Sequence, residues 1–226
     1  MMELRAEKIS QDFLRYSAKD GYFIAVQETD LRLAAGTLTV VTGRSGSGKS
    51  TLLHILGGLM KPVTGRVLVD DVDLYAMGED ARTRLRSRCI GIVPQRLMSL
   101  VALTVRENIL LPALLAGKAE KFAPRADELM EHLGIRKLAS VAPSELSGGE
   151  LRRVTIARAL VMQPGILLAD EPTGDLDEEN TQSVLRLLRE TAHAGTAVLL
   201  VTHESEARNY ADTCYTMTVG KLEKIA

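Results

Sequence analysis

The chain has 226 residues, 46% of them hydrophobic and 25% charged, with a formal net charge of −1. That composition excludes a disordered, collagen-like or disulfide-stapled chain, and the length suits one large domain or one domain with a sizeable insertion. Near-neutral charge, 4% aromatic content and the lack of Trp argue against nucleic acid as a partner, whether held by charge or by stacking.

Residues 3–40 contain alternating segments, with Leu31, Leu33, Leu38 and Val40 among their apolar positions, and read as an antiparallel strand layer. Four nearly unbroken apolar runs follow the pattern of strands buried on both faces: residues 38–41, 90–93, 166–169 and 197–201. Helical periods lie between them, over residues 50–59, 104–116, 150–162 and 178–192. The second opens with T-V-R-E, a capping box. Strand followed by helix, repeated, predicts an α/β fold with a largely parallel sheet. Residues 96–150 are helical without a convincing strand, so they read as a helical insertion between two halves, residues 1–95 and about 151–226, of one domain.

Cys89 and Cys214 have no metal-ligand spacing and read as reduced core thiols. The opening MMELRAEK lacks the apolar run of a secretory signal. The longest apolar stretch, residues 109–116, is interrupted by Pro112 and is far shorter than the roughly 20 residues needed to cross a bilayer. The expectation is a soluble chain that reaches a membrane only through a partner.

Residues 43–50 read GRSGSGKS, a full match to G-x-x-x-x-G-K-[ST], placed after an apolar strand and before a helix. Gly43, Gly46 and Gly48 are expected to let the backbone wrap closely, with φ values barred to other residues. Successive N–H groups then face phosphate at the positive end of a helix, Lys49 adds a point charge, and the Ser50 hydroxyl can ligate magnesium. The run 166–169 ends in Asp170 and Glu171, a metal ligand and a residue that orients the attacking water. The run 197–201 delivers Thr202 and His203, the latter able to donate to a γ-phosphate or to cap the following helix. Gln95 follows the run 90–93 and Pro94. In a parallel sheet all these groups emerge from one edge.

Residues 146–150 read LSGGE. Ser147 and Glu150 fit a capping box, while Gly148 and Gly149 are poor first-turn residues that suit close backbone approach to an anion. Taken in order, these motifs resemble the nucleotide-binding domain of ABC transporters over nearly the whole chain. GRSGSGKS matches the Walker A loop, Gln95 the Q-loop, LSGGE the ABC signature, residues 166–170 Walker B, residues 174–177 (GDLD) the D-loop and His203 the switch histidine. STLLHILGGL, PSELSGGE and DEPTGDLD are similar to LolD-like, MacB-like, FtsE-like and antimicrobial-peptide-exporter ATPases. Glu150 stands where many ABC domains have Gln, and Asp175 replaces the usual Ala or Asn.

The resemblance implies an ATP- and magnesium-dependent ATPase. Its nucleotide contacts would be Gly43, Arg44, Ser45, Gly46, Ser47, Gly48, Lys49, Ser50 and Thr51, with Ser147, Gly148, Gly149 and Glu150 supplied from the other side. Tyr16 falls where the family places the aromatic that stacks on adenine, with Phe13, Tyr22 and Phe23 as competitors. Ser50, Gln95 and Asp170 would hold the metal; Glu171, His203, Lys49 and Gln95 would carry the hydrolysis. Two copies would sandwich two ATP molecules head to tail and drive an integral-membrane permease from the cytoplasmic face of a bacterial membrane. The apolar residues Leu97, Met98, Leu100, Val101 and Leu103 either line a groove for that permease or pack the insertion's own core. A regulatory, FtsE-like ATPase whose partner moves no solute is the alternative. One cassette and a short helical insertion disfavour DNA-repair and translation ABC ATPases, and LSGGE disfavours simple kinases and GTPases.

Overall fold

The computed structural model describes residues 2–14 and 21–225. Two sheets organise the chain. Strands β1 (Leu4–Leu14), β2 (Tyr22–Leu33), β4 (Thr64–Val69) and β5 (Val72–Asp73) form an antiparallel sheet in the order β2-β1-β4-β5. Strands β3 (Leu38–Thr42), β6 (Ile90–Val93), β7 (Ile166–Asp170), β8 (Ala197–Thr202), β9 (Thr213–Thr218) and β10 (Lys221–Lys224) form the second, ordered β10-β9-β3-β8-β7-β6. All its pairings are parallel except the hairpin of β9 with β10. The expected α/β architecture, with an antiparallel layer and a mostly parallel sheet, is present.

The antiparallel layer differs from the sequence reading in one respect. Leu38 and Val40 belong to the central strand of the parallel sheet, and the layer instead recruits β4 and β5 from beyond the first helix. Leu38 pairs with Val198 and Val40 with Leu200. All five residues of β3 are buried, so the strand is covered on both faces like its neighbours.

The period of two along each strand sorts its side chains into two cores. Leu38, Val40, Leu167, Ala169, Val198 and Leu200 face helices α3 (Val105–Leu115), α4 (Ala119–His132), α5 (Gly148–Leu160) and α6 (Glu178–His193). Val41, Ile166, Leu168, Ala197, Leu199 and Val201 face α1 (Lys49–Leu56) and the antiparallel sheet. Leu52, Leu53, Ile55 and Leu56 of α1 are fully buried in this second core. Each such side chain is worth about 1.5–3 kcal/mol of burial, so α1 is anchored from both sides. That anchoring fixes the loop immediately before it.

Between β6 and β7 the described chain is helical. Thr104 caps α3 as its sequence predicts: the Glu107 N–H donates to Thr104 Oγ1 at 3.3 Å, and the Thr104 N–H donates to Glu107 Oε2 at 2.8 Å. Asp127 of α4 joins α3 through a two-pronged ion pair with Arg106, at 3.0 and 3.3 Å, and also binds Arg136. The helix α2 (Glu79–Cys89) precedes β6 and buries none of its residues.

Candidate functional site: a phosphate loop facing two acids and a histidine

Parallel pairing of β3, β8, β7 and β6 brings their carboxyl ends to one edge. The phosphate loop follows β3, Gln95 follows β6, Asp170 and Glu171 end β7, and Thr202 and His203 end β8. A cavity of about 220 Å³ there is lined by Ser45, Gly46, Gly48, Lys49, Ser50 and Thr51, with Gln95 and Glu171 opposite and Phe23 at the side. Tyr16, expected to stack on adenine, lies outside the described residues. Of its three competitors, Phe23 is the one in this lining.

The loop's shape rests on two glycines for different reasons. Gly48 has φ +108°, and a Cβ there would lie 1.9 Å from the Ala25 carbonyl oxygen of β2. Gly43 has no positive φ; a Cβ there would sit 2.4 Å from the Met217 carbonyl oxygen of β9. The expectation of a barred φ therefore holds for Gly46 and Gly48 but not for Gly43, where lack of space excludes a side chain. The loop is wedged between two strands of different sheets.

Lys49 is only 6% exposed, and its ammonium donates to the carbonyls of Gly43 (2.8 Å) and Arg44 (3.2 Å). It also lies 3.8 Å from Glu171 Oε1. Glu171 has φ +48°, and its peptide N–H donates to the Val201 carbonyl at 2.9 Å. Its Oε2 accepts from the Thr202 hydroxyl (3.0 Å) and the His203 N–H (3.3 Å), and lies 2.9 Å from His203 Nδ1. His203 caps no helix: the next element is a short 3-10 turn, Ser205–Tyr210, with no side-chain cap.

Asp170 is buried. Burial pushes its carboxyl above the ordinary range; a hydrogen bond from Ser50 acts against this, and the adjacent Glu171 charge acts with it. Its Oδ1 has no hydrogen-bond partner. An orphaned buried carboxylate oxygen beside a serine hydroxyl suits a hard cation with oxygen ligands, so Ser50 and Asp170 fit magnesium.

The LSGGE turn does not line this cavity. Ser147 Oγ accepts from the Glu150 N–H at 3.3 Å, and Glu150 Oε2 accepts from the Ser147 N–H and hydroxyl, both at 2.8 Å. These bonds hold the Glu150 carboxyl below its usual range. The capping box and a ligand-facing turn are compatible, because Ser147 and Gly148 remain exposed. Gly149 is confined from within the chain, its added Cβ meeting Leu176 at 3.2 Å and the Asp175 carbonyl at 3.3 Å. At Gly148 the nearest atom would be 4.0 Å away, so internal packing does not demand a glycine there.

One buried group escaped the sequence reading. Arg152 of α5 donates from Nη1 to the carbonyls of Pro94 (3.3 Å) and Gln95 (2.9 Å). Nothing in LSGGELRRV distinguishes it from the neighbouring Arg153, because the carbonyls that hold it lie more than fifty residues earlier in the chain.

A glycine-rich loop after a parallel strand, with acids at the end of a second strand, defines a phosphate-loop nucleotide hydrolase. The profile described as "ABC transporter" matches residues 26–174. The chain is 38% identical over 225 residues to the lipoprotein-releasing system ATP-binding protein LolD of Xanthomonas campestris pv. campestris, covering 99% of this chain and 93% of that one. It is 42% identical over 195 residues to LolD of Legionella pneumophila, covering 85% and 86%. Among solved structures, a dimeric bacterial ABC transporter cassette, MJ0796, superposes with a TM-score of 0.89 at 30% identity over 99% of both chains. A post-hydrolysis state of the same cassette with ADP and Pi gives 0.87 at 28% identity, again over 99% of both chains. The chain belongs to the ABC transporter family, as an ATP-binding and ATP-hydrolysing cassette.

Proposed function

We propose that this cassette is the motor of a lipoprotein-releasing type of transport system. Two copies would close head to tail over two ATP molecules, and hydrolysis would part them. The observation that carries this reading is the split site: Lys49, Ser50, Asp170, Glu171 and Gln95 converge on one edge, while the exposed Ser147-Gly148 turn lies outside their cavity. A second copy supplies the missing side, and the unexplained glycine at 148 gives its phosphate room.

In this reading the loop N–H groups of residues 43–51 bind the phosphates, and Lys49 exchanges its two carbonyl partners for phosphate oxygens. Ser50 and Asp170, with Gln95, would hold magnesium, which supplies neutralising charge on the phosphates. Three donors occupy Glu171 Oε2, which leaves Oε1 to accept from the attacking water. His203 at the neighbouring strand end stabilises charge on the transferred group. Glu150 keeps the Ser147 turn in shape rather than contacting nucleotide itself.

A permease partner would dock on the helical region. A groove of about 610 Å³ runs between α2, β6, α3 and α5, lined by Ile92, Leu111, Leu115, Arg84, Arg88 and Arg158 among others. Beside it Met98, Leu100 and Val101 are exposed on a segment held rigid by the buried Asn108, whose amide donates to the Leu100, Leu103 and Thr104 carbonyls. Of the two readings of this apolar run, exposure favours docking over internal packing. Among the described residues no helix is long and apolar enough to cross a membrane. The cassette would therefore sit at the cytoplasmic face through that partner, as one ABC domain with residues 96–150 as its helical arm.

The test is Ser147→Arg in a background that hydrolyses ATP slowly. ATP binding to the single chain should persist and ATP-driven pairing should be lost. A parallel loss of single-chain affinity would place the turn in its own chain's site and overturn the split arrangement.

A further inference from the structure

Arg152 is 4% exposed and none of the roles above uses it. A guanidinium removed from water is costly unless hydrogen-bonded and paired with charge. Here Nη1 satisfies the Gln95 and Pro94 carbonyls, while Nη2 lies 3.8 Å from Asp175 Oδ2. Asp175 lies four residues after Glu171, with φ +65° and a side chain 74% exposed. Arg152 sits on α5 one turn beyond Ser147, and the peptide of Asp175 packs against Gly149 of the same turn. Gly174 lies against the guanidinium, an added Cβ there falling 3.5 Å from Nη2, at ordinary contact distance. One fork thus touches two segments that the chain keeps far apart in sequence, from the helix that the Ser147 turn opens.

We propose that Arg152 is a positioning residue that ties the backbone of the Gln95 loop to the Asp175 carboxylate, so that the Ser147 turn, the Gln95 loop and the segment after Glu171 keep one relative arrangement during hydrolysis. Arginine suits this geometry because the two arms of its planar fork reach a carbonyl on one segment and a carboxylate on another. Burial lowers the guanidinium's proton affinity, and the charges of Asp175, Asp170 and Glu171 act against this without cancelling it. The inference rests on the reading of Gln95 and Glu171 as parts of the hydrolytic site.

The experiment is a mutant cycle on steady-state ATP hydrolysis with Arg152→Gln, Asp175→Asn and the double variant. Arg152→Gln should lower kcat about tenfold and Asp175→Asn about threefold, with KM within twofold of the parent, because the tie orders groups rather than binding nucleotide. The double variant should be no slower than Arg152→Gln alone. Losses that multiply in the double variant, or an unchanged kcat in Arg152→Gln, would overturn the inference. Should Arg152→Gln fail to fold, Asp175→Asn, at an exposed carboxylate, carries the test: unchanged turnover overturns the proposal. Gln95→Ala serves as the control. If it also turns over normally, the site reading itself fails and this inference with it. If it is slow while Arg152→Gln is normal, this inference alone fails.

Discussion

His203 Nδ1 lies 2.9 Å from Glu171 Oε2. A carboxylate only accepts, so the proton of that contact sits on Nδ1, and the imidazole plane is set by the acid. The same oxygen takes two further donors from Thr202 and the His203 backbone, which locks the Glu171 rotamer and aims Oε1 toward Lys49. The end of β8 therefore orients the end of β7, and strand pairing in the sheet is a direct determinant of the geometry at the hydrolytic carboxylate.

Replacing His203 by Ala should accordingly slow hydrolysis on the order of a hundredfold, the loss typical of one donor to developing charge. Nucleotide affinity should stay near that of the parent, because the loop and Lys49 are untouched. Single-turnover kinetics beside an ATP titration separates the two, and normal turnover would contradict the role of this histidine.

Gly48→Ala should be among the most damaging single-methyl changes in the chain. Its Cβ would meet the Ala25 carbonyl at 1.9 Å, and its φ of +108° strains any L side chain. Backbone strain of this kind costs on the order of 1–3 kcal/mol before the clash is counted. Thermal denaturation should show a lowered midpoint and an ATP titration a weakened site; a variant that melts and binds like the parent would refute the wedged loop.

Asp127→Asn should weaken the joint between α3 and α4. Hydrogen bonding to Arg106, and secondarily to Arg136, holds the Asp127 carboxyl below the ordinary aspartate value of about 3.8. A carboxyl with a lowered value stabilises the fold above its ordinary value and stops doing so as pH falls through the lowered one. The pair is partly exposed, so its worth at neutral pH is about 0.5–1 kcal/mol. The gap in melting temperature between parent and variant should be present at neutral pH and close in strong acid. A gap independent of pH would contradict this.

Much of the site was legible because buried strands announce themselves as apolar runs and the chemistry-bearing residues stand at their ends. Residues 166–169 and 197–201 placed Glu171 and His203 on one edge without any knowledge of helices. What stayed hidden depends on partners distant in sequence. The reason for Gly43 is a carbonyl on β9, and Arg152 finds its partners at Gln95 and Asp175. The helix α2, with the sequence EDARTRLRSRC, buries no residue and so has no apolar stripe to read. Strands β9 and β10 are short and mostly half-exposed, and merge with loop text. Leu38 and Val40 fit both the alternating N-terminal layer and a strand buried on both faces, and only the second holds, because alternation over a few residues does not reveal which sheet a strand joins.

The central claim is that ATP bound at the Lys49 loop is completed by the Ser147 turn of a second copy. Glu171→Gln tests it most directly, since it keeps the site's shape while removing the acceptor for the attacking water. Sedimentation of this variant with saturating ATP and magnesium, with bound nucleotide counted, should give a stable pair of chains carrying two ATP molecules. A single chain persisting under those conditions would contradict the account.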